Sequence, residues 1–372
     1  MRKTFKYRLY PTKVQTTTMN QTLELCRWVY NKTLEVRKNT WEQSETSLTL
    51  YDTNRFLPNW KTAKPELKKA HSQVLQNVQE RVDLAYKAFF RRVKAGEKPG
   101  FPRFKGYGRY DSFTFPQSGF KLDEKLFLSK IGKVKIKLHR PIQGIIKTLT
   151  IQRDRIGNWF ACFSCEVEPC ILPPSTEVVG VDLGLTTFAT LSNGEKIKRQ
   201  RWMKKDEKSL QRIQRKVSNR DKGDPKRTKA IKSLNHVHIR IKNKRENFAH
   251  QESRKLVNRY GLIVFEKLDI QQMQSNGQKT INKGIADVAW NQFVTLTGVK
   301  AEEAGRGFAL IDPKNTTQAC SKCSVIVPKD LSVRIHQCPY CGLILDRDHN
   351  AALNILALGL QSRGSIPRSP RL

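Results

Sequence analysis

Val178-Val179-Gly180-Val181-Asp182-Leu183-Gly184 reads as a strand that is apolar or glycine up to the acid near its end. Leu262-Ile263-Val264-Phe265-Glu266 repeats the arrangement, an unbroken apolar run closed by a carboxylate, and is expected to be a buried strand. Phe308-Ala309-Leu310-Ile311-Asp312 reads as a third strand. Asp348 starts a short apolar helix that continues from Ala351. Acids at strand ends, contributed by distant segments, converge at one edge of a mixed sheet. Asp182, Glu266 and Asp348 are therefore the candidate catalytic set, with Asp346, Asp269 and Asp312 as nearby alternatives. Carboxylates clustered in this way hold two divalent ions about 3.5–4 Å apart for phosphodiester cleavage. Hard oxygen ligands suit Mg2+ or Mn2+. Asp182, in the most apolar strand, is expected to bridge both ions, with Glu266 and Asp348 each completing one.

Working outward from this sheet, residues 203 to about 258 read as one long basic helical segment, and Val288 to Ala304 as a further helix. Upstream, Phe5 to Tyr10 alternates and stops at Pro11, a short strand. Residues 12 to about 95 carry helical spacing, as in Leu23, Cys26, Val29, Tyr30, Thr33 and Leu34, or Val74, Leu75, Val78, Val82 and Tyr86. Gly96 to Gly108 is a Gly- and Pro-rich connector. From about 112 to 169 the period changes to that of short strands, which suggests a small barrel or sandwich that the first strand rejoins. The Ser-, Pro- and Arg-bearing tail from Gly359 is expected to be disordered.

Cys320-x2-Cys323 and Cys338-x2-Cys341 form two knuckles joined by one short loop, the spacing of a four-thiolate Zn2+ site. Four thiolates leave no open position, so this ion is expected to be structural. Cys162-x2-Cys165 differs: it lies in an alternating strand, where positions three apart point to opposite faces. Those two and Cys170 are not expected to bind metal.

The 372 residues carry 69 Lys and Arg against 33 Asp and Glu, a net charge of +36. A surface this basic binds polyphosphate with release of counterions. The excess peaks between Lys196 and Lys244, including Lys204, Lys205, Lys208, Arg212, Arg215, Lys216, Arg220 and Lys222, while Leu210, Ile213 and Val217 supply a packing face. No apolar run approaches the roughly 20 residues that span a bilayer. The first residues lack the apolar core of a signal peptide. A soluble cytoplasmic protein with no membrane partner is expected.

These residues together resemble TnpB, the nuclease encoded by insertion sequences of bacteria and archaea and a relative of type V CRISPR effectors. The likeness runs nearly end to end: residues 5–12, His71-Ser72-Gln73-Val74-Leu75-Gln76, Pro99-Gly100-Phe101-Pro102-Arg103-Phe104-Lys105, the strand at Asp182, Lys300-Ala301-Glu302, both cysteine knuckles, and Arg347-Asp348-x-Asn350-Ala351-Ala352-x-Asn354-Ile355. Ser324 departs from it, standing where the family usually has Gly after the second cysteine. The resemblance implies a multidomain α+β chain. Residues 1–10 and 107–172 would form a wedge-like β-barrel, with a helical recognition insertion at 11–106. An RNase H-like (RuvC) α/β nuclease domain would occupy 173–313 and 344–358, interrupted by a zinc element at 314–343 and followed by a basic tail at 359–372. It implies a guide RNA derived from the element, double-stranded target DNA, and a monomer in the ribonucleoprotein with a dimer as the open alternative. It places readers of a short target-adjacent motif near Lys69, Gln73 and Thr114. Asp182, Glu266 and Asp348 match its catalytic positions, and relatives that lack these acids act as guided repressors. The rival readings are a transposase-type strand-transfer protein, a guide-bound repressor that does not cut, and a generic RNA-binding protein.

Overall fold

The computed structural model describes residues 1–269, 273, 284, 288–330 and 332–364. The chain divides into two compact units, Met1–Glu168 and Pro169–Leu372. No helix among the described residues is long and apolar enough to cross a membrane.

In the first unit, strand β1 (Arg2–Tyr10) alternates so that Phe5, Tyr7 and Leu9 are buried. It lies in the middle of a seven-stranded antiparallel sheet, between β7 (Trp159–Glu166) and β5 (Gly132–Lys137). The strand order is β2-β6-β7-β1-β5-β4-β3, a nearly closed barrel whose other members are β2 (Ser112–Phe115), β3 (Phe120–Leu122), β4 (Leu126–Leu128) and β6 (Ile145–Arg153). In β7, Cys165 is fully buried while Cys162 is half-buried, as the two-residue period requires. The short strand β3 carries too few residues for its alternation to stand out in the sequence.

Between β1 and β2 the chain is helical: α1 (Lys13–Ser44), α2 (Leu50–Arg55), α3 (Leu57–Ala63), a 3₁₀ turn at Pro65–Lys69, and α4 (Ser72–Lys94). Thr12 caps α1 in a reciprocal capping box with Gln15. Arg81 of α4 donates to the Ser112 carbonyl at 2.9 Å and to Thr114 Oγ1 at 2.7 Å, which fastens that helix to β2.

In the second unit, five strands run in the order β10-β9-β8-β11-β12. Three neighbouring strands, β8 (Val178–Leu183), β11 (Leu262–Glu266) and β12 (Gly307–Ile311), are parallel. On the other side of β8, β9 (Ala189–Leu191) pairs antiparallel with it and with the edge strand β10 (Lys196–Ile197). All five residues of β11 are buried, in keeping with its unbroken apolar run. Val179, Val181, Ile263 and Phe265 pack on one face with Leu256 and Val257 of α6 (Pro225–Arg259) and Phe293 of α7 (Trp290–Glu303). Leu262, Val264 and Ile311 pack on the other face with Ile355 of α8 (Arg347–Gly364).

Two expectations change here. The basic segment is two helices, α5 (Trp202–Ser218) and α6, joined through Leu210, Val237 and Ile241. The break follows from Asp224-Pro225: the Asp224 side chain accepts the Lys226 N–H, and proline suits the first helical turn. The disordered tail was expected from residue 359, but α8 continues to Gly364. Gly359 serves packing there, since a Cβ would fall 2.5 Å from Val264 Cγ2. Residues 365–372 of the expected tail lie outside the described residues.

Gly180 sets the distance between α8 and the sheet. A Cβ at this position would meet the Ala352 carbonyl oxygen at 2.2 Å and the Leu356 nitrogen at 2.7 Å, both backbone atoms that have little room to yield. Gly180→Ala is expected to cost roughly 3 kcal/mol, an overpacking penalty without a flexible neighbour to absorb it. Thermal or urea unfolding of the variant measures it.

Candidate metal centres

Asp182 and Glu266 each lie one step beyond Gly180↔Val264 and Val181↔Phe265, the last registered pairs of the parallel strands β8 and β11. The two-residue period puts Asp182 on the same face as Gly180, and Glu266 on the same face as Val264, the side that α8 covers. Asp348 lies in the first turn of α8. The electrostatic consequence appears at Asp182. It keeps some surface open to solvent but sits deep among protein atoms, and its carboxyl is pushed up from 3.8 to about 8. Burial is the largest cause, followed by the Glu266 carboxylate, the Asp348 carboxylate and, in smaller measure, Asp346, with the Arg347 cation opposing. Burial also raises Glu266, partly offset by a hydrogen bond from Thr316 Oγ1.

The neighbouring acid, Asp346, has a different task. Its Oδ1 accepts the backbone N–H groups of Asp348 at 3.0 Å and His349 at 3.1 Å, which caps α8. Its Oδ2 pairs with Lys196 Nζ at 2.8 Å. Burial works against its ionised form, but Lys196 and the backbone donors prevail and hold its carboxyl below the ordinary value. Asp348 Oδ1 receives two donors from Arg347, Nε at 3.1 Å and Nη2 at 3.0 Å. Among the described residues the carboxylates are not packed as a ligand shell. The group of thiols, imidazoles and acids whose ligand atoms all lie within 4.8 Å of one another is the cysteine set alone. The donor set is nevertheless all oxygen, and the charge it concentrates is what a divalent cation relieves.

Sulfur geometry fits the second centre closely. Cys320, Cys323, Cys338 and Cys341 bring their Sγ atoms together, with 3.5 Å between Cys320 and Cys341 and 3.6 Å between Cys323 and Cys338. Zinc–sulfur bonds of about 2.3 Å on a tetrahedron require sulfurs about 3.8 Å apart. A disulfide needs about 2.05 Å, so these are free thiols arranged for an ion. Each knuckle closes with a turn, Ser324 N–H to the Cys320 carbonyl at 2.8 Å and Gly342 N–H to the Cys338 carbonyl at 3.0 Å. These two residues share the left-handed conformation, φ 63° at Ser324 and 73° at Gly342.

The basic run extends along exposed surface: Lys204, Lys205, Lys208, Arg212, Arg215, Lys216 and Lys222 face solvent, and Arg220 is half-buried. In the first unit, Lys69 is exposed at the end of the 3₁₀ turn. Gln73 Oε1 accepts from the Ser118 backbone at 3.1 Å and its hydroxyl at 3.0 Å. Thr114 is half-buried, its hydroxyl shared with Arg81 and Thr150. The neighbourhood is common, since His71 packs on Phe115 with ring centroids 5.7 Å apart.

Sequence reasoning alone missed Thr316, Lys196 and the capping role of Asp346. An acid immediately before a helix start signals a cap, but Thr316 and Lys196 carry no local signal.

Comparison with known proteins adds the following. A family profile described as "Probable transposase" matches residues 162–277. A "Cas12f1-like, TNB domain" profile matches 290–355, which takes in α7, β12 and the start of α8 besides the cysteines. A profile described as "Helix-turn-helix domain" matches 1–46, residues that here form β1 and the single helix α1. The chain is 32% identical over 369 residues to a "Putative RNA-guided DNA endonuclease" of Streptomyces pristinaespiralis, covering 97% of this chain and 90% of that one. It is 29% identical over 375 residues to the "Putative RNA-guided DNA endonuclease InsQ" of Escherichia coli K12, covering 95% and 92%. Among solved structures, the fold resembles Cas12f1 in a Cas12f1–sgRNA–target DNA complex, with TM-score 0.61 and 13% identity over 95% of this chain and 98% of that one.

Two predictions come from these centres. Ser324→Gly relieves a left-handed conformation that costs an L-residue about 1 kcal/mol, so the variant is expected to be more stable by about that amount in zinc-loaded protein, as measured by thermal or urea unfolding. Asp182 holds a proton in the folded chain that it loses early in the unfolded one. Its contribution is therefore complete below pH 4 and disappears as pH rises towards 8. Without added magnesium, Asp182→Asn is expected to match the parent near pH 4 and to melt progressively higher than the parent up to pH 8, by several degrees. A melting series against pH measures the gap.

Proposed function

The chain belongs to the TnpB family, and on that premise we propose that it is an RNA-guided DNA endonuclease. In this reading it binds a guide RNA derived from its own element, recognises a short motif beside the target in double-stranded DNA, and hydrolyses DNA at Asp182, Glu266 and Asp348. The observation that carries it is the convergence of two strand-end acids and a helix-start acid at one sheet edge, where burial first, and then the Glu266 and Asp348 carboxylates, push Asp182 up to about 8. The relatives' names and the Cas12f1-like fold support it.

Divalent ions such as Mg2+ or Mn2+, two when the site is filled, would supply an activated water and stabilise the leaving oxygen. The chain's own contribution is positional. Asp182 and Glu266 are fixed by the parallel pairing of β8 and β11, and Asp348 by the cap that Asp346 places on α8. To hold a cation, Asp182 would first have to give up the proton that its burial and acidic neighbours favour. The cysteine set would hold one Zn2+, closed to solvent chemistry because no fifth ligand is needed. The exposed bases of α5 suit contact with nucleic-acid phosphates. Lys69, Gln73 and Thr114 are proposed to lie where the target-adjacent motif is read. With this goes the domain division into a wedge-like barrel (1–10, 107–172), a recognition insertion (11–106), a RuvC-like nuclease domain (173–313, 344–358) and a zinc element (314–343).

One observation favours a second reading. The profile over 162–277 is described as a probable transposase, and strand transfer would use the same acids without a guide. Loss of cutting after RNase treatment of the purified protein distinguishes guided cleavage from strand transfer. The decisive test is plasmid cleavage with a matched guide and Mg2+. Asp182→Ala is expected to lower cutting by at least about 1000-fold while guided DNA binding stays within a few-fold of the parent. Cutting by the variant near the parental rate would overturn the assignment.

A further inference from the structure

Among the described residues, Glu266 is the one acid of the three that an uncharged side chain holds in place, and that side chain leads to the cysteine centre. Thr316 is 2% exposed, and its Oγ1 donates to Glu266 Oε1, which leaves Oε2 free of that contact. Thr316 is itself fixed by α8. Asn354 Nδ2 donates to the Thr316 carbonyl at 2.8 Å and to the Ala319 carbonyl at 2.8 Å. One turn earlier, the fully buried Asn350 donates to the same Ala319 carbonyl at 2.8 Å and accepts the Ser321 N–H at 2.9 Å. Ala319 and Ser321 flank Cys320, the most buried of the four thiols. Cys320 is thus fastened to α8 on both sides, and the same helix carries Asp348.

We propose that Thr316 is a positioning residue for Glu266 and that the cysteine knuckle, through Asn350 and Asn354, sets the position of Thr316. This role presupposes that Glu266 is a metal-binding acid, as proposed above. A carboxylate that must meet a cation in one orientation loses rotamer freedom on binding, and a hydrogen bond to its other oxygen removes that freedom beforehand. Burial makes the bond matter more, because Glu266 is 8% exposed and solvent cannot replace the hydroxyl freely. Loading of the cysteine centre then reaches the acids through one run of chain, from Cys320 back to Thr316, with no change required in the sheet.

The test uses Mn2+ as the probe, titrated calorimetrically into full-length protein with its guide RNA, alongside single-turnover cleavage. Thr316→Val keeps the shape and removes the hydroxyl. Mn2+ affinity is expected to fall about 10- to 100-fold, with zinc content unchanged, and Thr316→Ser is expected to restore most of it. Cleavage should fall in rate at saturating DNA while the DNA concentration for half-saturation is unchanged. Asn354→Ala touches no acid, yet is expected to weaken Mn2+ in the same direction, and it decides the question if Thr316→Val does not fold. Mn2+ affinity and cleavage within twofold of the parent in either folded variant overturn the inference. Asp182→Ala separates this failure from that of the underlying reading. If it abolishes Mn2+ binding while Thr316→Val has no effect, only the positioning role falls; if it too binds and cuts normally, the acid cluster itself is misassigned.

Discussion

Helix α8 lies against β8 with its backbone in direct contact, and position 180 must lack a side chain for it to do so. The Ala352 carbonyl and the Leu356 nitrogen occupy the space where a Cβ would stand, and Gly359 allows the same closeness over Val264. This approach places the start of α8 beside the strand ends. A helix raised by the thickness of one methyl group would carry Asp348 away from Asp182 and Glu266 and pull on the loop that Asn350 and Asn354 hold. The acid cluster and the cysteine knuckle both depend on that one contact plane.

Within the cluster, charge is distributed unevenly. Asp346 is neutralised by Lys196 and by the helix it caps, and Asp348 by Arg347. Glu266 has Thr316. Among the described residues Asp182 has no ion pair and no hydrogen bond to its carboxylate, which is why burial and its acidic neighbours act on it most strongly. Among the described residues, three acids are answered by the chain's own groups and Asp182 is left without such a partner.

Much of this arrangement is legible in the sequence because it is carried by local signals. An apolar run closed by an acid marks β8 and β11, and two Cys-x2-Cys knuckles mark the thiol centre. Alternation gave the buried face of β1 and separated Cys165 from Cys162. What stayed hidden depends on distant partners. Nothing beside Thr316 announces that it will meet a carboxylate fifty residues earlier in the chain. Lys196 likewise finds Asp346 only when β10 is laid at the sheet edge. The break between α5 and α6 was present as Asp224-Pro225 but was obscured by basic residues on both sides. The length of α8 was obscured by Gly359, which reads as a stop and acts as a packing surface.

The parallel strands β8, β11 and β12 and the helix laid across them come from widely spaced parts of the chain, with the helix last. During synthesis, which releases residues from the amino terminus onward, β8 emerges long before its neighbour β11 and longer still before α8. A nascent chain therefore carries Asp182 and then Glu266 without the third acid, and the sheet face that will receive α8 stays uncovered until that helix is made. The acid cluster is completed in a single step when α8 docks, and a polypeptide truncated ahead of α8 is left with an apolar sheet face open to aggregation and with an incomplete set of acids.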